Sequence, residues 1–210
     1  FGLGGLKGVG EAAIEAIINE RNKGGHFETM IDFIKRVLSR AVNKKSLESL
    51  AYSGTFDCFP EYHRAQYFNT GDGDRTNGME KLIAYAQAIQ SMTTGSTNTL
   101  FGDLPSAMQV PIPKLALCEE WTLTEKLDHE KDITGMFMSG HPLDHFNFEL
   151  KHYAFTPINE YNEVKDNLIN FPNKLGKNFK LAGLITDVQH RITKTGKNFG
   201  SFAIEDFTGK

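Results

Sequence analysis

The chain has 210 residues, of which 40% are hydrophobic, and its formal net charge at pH 7 is −3. The apolar runs are short and interrupted by charge, which argues against a membrane span and a secretory leader. Cys58 and Cys118 lie far apart, which fits a reducing cytoplasm and argues against a structural zinc site. Because the chain begins at Phe1 and not at Met, we expect an internal piece of a longer protein.

Charge is unevenly distributed along the chain. Residues 1–50 carry eight Lys or Arg and six Asp or Glu, residues 51–160 carry seven and fifteen, and residues 161–210 carry eight and five. The two ends are therefore mildly basic, and the middle is acidic. Because phosphates attract basic surfaces, we expect any nucleic-acid contact at the ends.

The first predicted elements are a short apolar turn and an amphipathic helix, joined by Lys7-Gly8-Val9-Gly10. Glycines on both sides of one apolar residue allow a sharp bend and leave bare amide N–H groups at the helix start. Together with the helix dipole and the charge of Lys7, these amides form an anion site. The pattern is that of a helix-hairpin-helix, which holds a nucleic-acid phosphate without reading bases.

Two nucleotide-binding loops fit this glycine-rich segment less well than the hairpin pattern does. A dinucleotide-binding G-x-G-x-x-G begun at Gly2 would need a third glycine where Lys7 stands. A P-loop would need Ser or Thr after Lys7, but Gly8 follows. A helical hairpin with a purely structural role stays open as the alternative to phosphate binding.

Helical spacing continues through residues 1–92, which we predict to be a DNA-binding helix-hairpin-helix region. Further helices are predicted over residues 29–37, 44–52, 62–68 and 81–92. Asn43 or Ser46 is expected to cap the second of these helices, and Arg64 lies near the start of the third. A helix, a glycine turn and a basic residue at the next helix are typical of a degenerate second hairpin. Ordinary helical packing is the equal alternative.

Residues 93–118 are predicted to form an exposed linker, because turn residues are frequent and no period is sustained. One apolar pair, Leu100-Phe101, stands in it among polar residues. Such a pair either folds back on the core or fills an apolar pocket on a partner.

Residues 119–160 are predicted to continue the helical part, and residues 161–210 change to a strand period. Strands are predicted over 179–190 and 198–205, joined by a turn with Lys194 and Lys197. Two strands with a basic tip resemble the opening of an OB barrel. The expected fold class is therefore mainly α, with a helical helix-hairpin-helix domain followed by an incomplete, OB-like β segment.

The predicted β-hairpin, formed by the strands over 179–190 and 198–205, offers basic and aromatic residues that suit binding of single-stranded nucleic acid. Phe199 and Phe202 lie on opposite faces of a regular strand, so at least one is expected in the core. Phe202 is the better core candidate because Ile204 shares its face.

No residue pattern points to catalysis or to a metal site in this chain. His141, Asp144 and His145 offer possible ligands, but Pro142 makes a helix terminus the better interpretation. Four glutamates fit a solvated helical face better than acid–base chemistry: Glu119, Glu120, Glu125 and Glu130.

Short motifs follow one another in a distinctive order. They are Gly-Leu-Lys-Gly-Val-Gly at 5–10, Asp-Phe-Ile-Lys-Arg at 32–36, Asn-Lys-Lys-Ser-Leu-Glu-Ser-Leu at 43–50, Ser-Gly-Thr-Phe-Asp at 53–57, Leu-Phe-Gly at 100–102, Ser-Gly-His-Pro-Leu at 139–143 and Lys-Thr-Gly-Lys at 194–197. Each motif is weak alone. Their succession over essentially the whole chain resembles the alpha subunit of bacterial DNA polymerase III.

In that family this region follows the fingers and carries a helix-hairpin-helix, a sliding-clamp peptide and an OB domain. The resemblance implies duplex-DNA contacts from Lys7, Gly8, Val9 and Gly10. Arg64 is a further DNA-binding candidate, because it lies at the degenerate second hairpin. Lys194 and Lys197, at the tip of the predicted β-hairpin, are the candidates for contact with single-stranded DNA.

The resemblance also implies a clamp-binding peptide at Thr97, Leu100 and Phe101. These residues match the end of the family's Gln-x-x-Leu/Met-Phe pattern, with Thr97 at the Gln position. Thr97 lacks the hydrogen bonds of the long amide, which costs about 1–2 kcal/mol of binding free energy.

The family's catalytic carboxylates and their Mg²⁺ lie in the palm, upstream of the matched region. The resemblance therefore implies a cytoplasmic part of a polymerase that is inactive alone and needs no cofactor. It would hold primed duplex DNA and tether the enzyme to its clamp for processive replication, without a membrane partner. The alternatives are a protein-interaction scaffold or a fragment of another helix-hairpin-helix DNA repair enzyme.

Overall fold

A computed structural model of the chain describes residues 2–95, 110–167, 176 and 178–210. The described helices are α1 (Glu11–Gly24), α2 (Met30–Val37), α3 (Lys44–Tyr52), α4 (Arg64–Phe68), α5 (Gly78–Gly95), α6 (Leu123–Thr134), α7 (Asn147–His152) and α8 (Ile158–Asp166). The strands are β1 (Leu184–Ile192) and β2 (Asn198–Glu205). The prediction of a mainly α chain with a short β segment is confirmed.

The chain divides into two compact units, Phe1–Ser139 and Gly140–Lys210. This division differs from the predicted boundaries because α6 packs against α3 and so belongs with the first unit. The predicted boundary after residue 160 falls inside the second unit, where the amide of Ile158 donates to the Asp206 carboxylate at 2.9 Å.

The core of the first unit is built on the apolar face of α2. Met30, Phe33, Ile34 and Val37 follow helical spacing and are all buried. The ring of Phe33 packs edge-on against the rings of Phe27 and Phe56, at centroid distances of 5.0 and 5.1 Å. Helices α1 and α5 pack against α2 and close this core.

Helices α3 and α6 of the first unit each begin at a side-chain cap. The Asn43 side chain accepts a hydrogen bond from the Ser46 amide at 3.2 Å, so Asn43 is the cap of α3. Thr122 and Glu125 form a reciprocal capping box at the start of α6, with distances of 3.3 and 2.8 Å. The two helices that begin at these caps pack against each other.

In the second unit β1 and β2 form an antiparallel hairpin. The pairing runs from Leu184 opposite Glu205 to Ile192 opposite Asn198, with an irregularity between Thr186 and Gln189. Strand β2 matches its predicted range, and β1 begins later than predicted. The OB barrel stays a prediction.

The expectation that Phe202 is a core residue is wrong for the described part of the chain. Phe202 is 58% exposed, and within the described residues its sheet has only two strands, too few to close a barrel around it. Phe199 is also exposed. Among the described helices, none is both long and apolar enough to cross a bilayer.

Candidate nucleic-acid interface

Residues 7–10, here called the hairpin turn, connect a short 3₁₀ helix (Leu3–Gly5) to α1. Leu6 and Val9 are buried and anchor the turn from below, while Lys7 is exposed. The amide of Lys7 donates to the carbonyl of Ile133 at 2.9 Å, which ties the turn to α6. The turn is therefore a fixed feature of the first unit with its lysine in solvent.

Gly8 is required in this turn for two reasons. Its φ is +91°, a left-handed conformation that side-chain-bearing residues adopt at a cost. A Cβ atom at this position would lie 2.6 Å from the Ser49 Oγ of α3. The Ser46 hydroxyl donates to the Gly8 carbonyl at 3.4 Å, so α3 braces the turn directly.

The start of α1 presents free backbone donors. Gly10 is its N-cap and supplies no side-chain cap, and its carbonyl accepts from Ala13 and Ile14 at 2.9 and 3.2 Å. Among the described residues, the amides of Gly10, Glu11 and Ala12 have no acceptor. Such amides, with the positive end of the helix dipole behind them, form an anion site.

The charges around these amides have both signs. Lys7 and Lys45 are exposed, and the Lys45 Cε lies 3.6 Å from the place a Gly8 Cβ would take. Glu11 and Glu15 line a shallow depression of about 480 Å³ beside the turn. The sequence did not place Lys45 beside the turn, because Lys45 lies on α3, far from the turn along the chain.

Arg64 does not lie at the interface, and its prediction as a DNA-binding residue is wrong. Its side chain is 5% exposed. Its Nε and Nη2 donate to the Asp57 carboxylate at 2.6–3.0 Å, and its Nη1 donates to Glu130 at 2.7 Å. Nη2 also donates to the Ser139 hydroxyl at 3.3 Å. These acceptors, of which Glu130 is buried, occupy the guanidinium and leave it unavailable to a phosphate.

Glu130 is also not the solvated residue that the sequence suggested. It is completely buried and accepts from the Met138 and Ser139 amides, both at 2.8 Å, and from the Ser139 hydroxyl. Burial raises the pKa of Glu130, but hydrogen bonds from Ser139 and Arg64 outweigh it and lower that pKa below its ordinary value.

Arg64, Asp57, Glu130 and Ser139 are here called the Arg64 cluster. Gly54 packs against it, because its φ is +79° and a Cβ there would overlap the Arg64 guanidinium. The motif at residues 53–57 therefore serves this internal ion cluster. Between a second phosphate-binding hairpin and ordinary helical packing, the geometry of this segment favours ordinary packing.

The remaining predicted site residues lie elsewhere. Lys194 and Lys197 are exposed at the β1–β2 turn of the second unit, where the Thr193 amide donates to the Lys197 carbonyl at 2.8 Å. Thr97, Leu100 and Phe101 lie outside the described residues.

The residues considered as metal ligands have a local structural role. The His141 Nδ1 accepts from the Leu143 amide at 3.1 Å, and Asp144 accepts from the His141 amide at 2.6 Å. These bonds cap the 3₁₀ helix Pro142–Phe146. Over the described ranges, no group of three His, Cys, Asp or Glu residues is placed to hold a metal.

Known proteins resemble this chain over its N-terminal third and over its whole length. Residues 1–67 match the helix-hairpin-helix motif family, and this range includes the hairpin turn and α1–α3. DNA polymerase III subunit alpha of Vibrio cholerae is 30% identical over 210 residues, which is 100% of this chain and 17% of that protein. The chain is similar over its whole length to a segment of DNA polymerase III subunit alpha.

Alpha subunits of DNA polymerase III from two more bacteria match in the same way. The Escherichia coli K12 subunit is 30% identical over 210 residues, and the Pseudomonas aeruginosa subunit is 31% identical over 217 residues. The resemblance inferred from the motif order is confirmed. The chain spans 17% of the Vibrio cholerae and Escherichia coli alpha subunits and 18% of the Pseudomonas aeruginosa subunit.

Proposed function

We propose that the first unit binds the phosphate backbone of duplex DNA as a non-catalytic part of a replicative DNA polymerase. The observation that carries this proposal is the row of bare amides at Gly10, Glu11 and Ala12, beside Lys7, in a segment that matches helix-hairpin-helix proteins. Amides and a helix dipole recognise phosphate charge and shape and leave the base edges unread. The site thus suits an enzyme that must bind DNA of any base sequence.

The polymerase reaction itself is proposed for the larger protein. Its catalytic carboxylates and Mg²⁺ would lie upstream, in the palm, so we expect the 210-residue chain to show no nucleotidyl transfer alone. The proposed setting is the cytoplasm. The Lys194–Lys197 turn is proposed to meet the single-stranded template, because its exposed lysines and nearby Phe199 combine charge with an aromatic surface.

Duplex binding can be tested by fluorescence anisotropy with a labelled primer–template. The wild-type chain, Lys7→Ala and Lys23→Ala are titrated at about 50 and about 200 mM salt, because phosphate contacts make affinity fall steeply over that range. Lys23 is the matched control, since it is an exposed lysine in the last turn of α1. We expect Lys7→Ala to weaken binding several-fold and Lys23→Ala to bind as the wild type does.

Two outcomes would overturn the proposal. Binding that is absent, or insensitive to salt, would favour a protein-interaction scaffold. Glycosylase or ligase turnover by the isolated chain would favour a DNA repair enzyme.

We further propose that Thr97–Phe101 tethers the polymerase to its sliding clamp. The apolar pair Leu100-Phe101 stands in a polar segment and matches the end of the family's clamp peptide. Because a tether raises the effective concentration of enzyme at the primer end, even weak clamp binding supports processivity.

The Thr97 position allows a gain-of-function test by surface plasmon resonance on immobilised cognate clamp. Restoring the long amide with Thr97→Gln should tighten binding by about 5- to 30-fold, the equivalent of about 1–2 kcal/mol. The neighbouring Asn98→Gln is the control and should have no effect. Phe101→Ala should abolish binding. If neither the wild type nor Thr97→Gln binds the clamp, the segment Thr97–Phe101 is not the tether.

A further inference from the structure

We propose that Lys45 of α3 is a second cationic contact to the DNA phosphates held at the hairpin turn. The inference rests on the proposed duplex binding, and it assigns a role to a residue from a different helix.

The first step is the position of α3. The Ser46 hydroxyl reaches the Gly8 carbonyl at 3.4 Å, and Ser49 lies so close that only glycine fits at position 8. Lys45 and Ser49 are four residues apart and therefore share one face of α3. The aliphatic stem of Lys45 accordingly lies beside Gly8, at 3.6 Å from its would-be Cβ, and the side chain is exposed.

The charge at the start of α3 is positive. The first turn of this helix holds Lys44 and Lys45 and no acidic residue. Cations at a helix N-terminus oppose the helix dipole, so this placement is unfavourable for the helix itself. Lys44 is compensated by Glu80 at 2.7 Å and Glu48 at 3.7 Å.

Lys45 has no such compensation. Among the described residues it forms no ion pair, although it stands at the same unfavourable helix end. An unfavourable charge retained in an otherwise well-capped helix is explained when it serves an external anion. The bare amides at the start of α1 attract the same anion. The phosphate backbone would then receive one cation from the hairpin turn, Lys7, and one from α3, Lys45.

A Lys45 that binds phosphate should have opposite effects on DNA binding and on stability. Lys45→Ala and Lys45→Glu both remove an unfavourable charge from the helix start, and Glu is favoured there. Neither variant should lower the melting temperature. Both variants should weaken DNA binding, and Lys45→Glu should bind less tightly than Lys45→Ala because its carboxylate repels phosphate.

The experiment titrates a labelled primer–template with the 210-residue chain over a series of KCl concentrations. The variants are Lys7→Ala, Lys45→Ala, Lys45→Glu and the matched Lys44→Ala, each also studied by thermal unfolding. We expect Lys45→Ala to weaken binding about 3- to 10-fold and to reduce the slope of log affinity against log salt by about one. Lys44→Ala should change the affinity less than about twofold.

The possible results distinguish failure of the Lys45 assignment from failure of the proposed function. If Lys7→Ala weakens binding and both Lys45 variants bind as the wild type does, Lys45 is not a contact and the proposed function stands. If Lys44→Ala loses as much affinity as Lys45→Ala, the effect is general basic charge and the assignment to Lys45 is overturned. If the wild-type chain shows no salt-dependent binding, the proposed function and this inference fail together.

Discussion

Glu11 shows how one residue at the hairpin turn serves two opposed demands. It occupies the first turn of α1, where its negative charge is favourable to the helix dipole. The same charge lies beside the bare amides proposed to hold a phosphate. Lys45 is the opposite case, since its charge disfavours the start of α3 and would favour the proposed phosphate. Stability and binding are therefore in conflict at single residues of this site.

The conflict predicts that Glu11→Gln tightens duplex binding several-fold while lowering the melting temperature slightly, because repulsion and dipole stabilisation are lost together. Anisotropy titration and thermal unfolding of the same samples measure both effects. Glu15→Gln, one turn further from the amides, is the comparison and should change binding less. Unchanged or weaker binding in Glu11→Gln would place the phosphate away from the start of α1.

At the scale of elements, the hairpin turn depends on α3 as much as on its own glycines. Lys7, Gly8 and Gly10 could be predicted from a local motif, because the bend and the bare amides follow from adjacent residues. The bracing by Ser46 and Ser49 could not be predicted, because it joins segments far apart in the chain. Arg64 shows the same limit: its position at a helix start suggested a DNA contact, but the carboxylates of Asp57 and Glu130 already bind its guanidinium.

This dependence predicts the result of Gly8→Ala. A positive φ and a Cβ 2.6 Å from Ser49 Oγ should destabilise the first unit by about 1–3 kcal/mol and weaken DNA binding. Chemical denaturation and anisotropy measure the two effects. Gly4→Ala is the control, because its φ is not in the left-handed region and the nearest atom to its would-be Cβ, Ile14 Cδ1, lies 3.9 Å away.

A double variant separates the two causes. Gly8→Ala combined with Ser49→Ala removes the overlap and keeps the positive φ, so it should recover part of the stability lost by Gly8→Ala. No recovery would mean that backbone strain alone explains the glycine. Full recovery would mean that the overlap with α3 explains it.

At the scale of the whole molecule, the Arg64 cluster joins distant parts of the first unit. Asp57 follows α3, Arg64 begins α4, and Glu130 lies on α6. Arg64 and Glu130 are 66 positions apart in the chain, so one buried ion pair fixes the long-range closure of the helical unit. Removing one partner of such a pair leaves an uncompensated charge in the core.

Glu130→Gln should therefore destabilise the first unit by about 3–5 kcal/mol at pH 7. The folded-state pKa of Glu130 is lowered, so its stabilisation is full above the unfolded value of about 4.3 and is lost as the pH falls through the folded value. Urea denaturation at a series of pH values should show the gap between wild type and variant shrinking in acid. The exposed Glu119→Gln is the control.

A gap that stays constant down to strongly acidic pH would contradict an ionised Glu130. A variant as stable as the wild type would show that Asp57 alone satisfies Arg64.

The sequence by itself determined the mainly α class, the strand range of β2, the hairpin turn and the similarity to the polymerase alpha subunit. These features depend on local spacing, on glycine at a bend and on the order of motifs, which adjacent residues carry. Tertiary structure alone decided that Arg64 and Glu130 form a buried pair, that Phe202 is exposed, and that Lys45 lies at Gly8. The physical reason is that burial and charge pairing depend on distant segments, and local periodicity does not specify which segments meet.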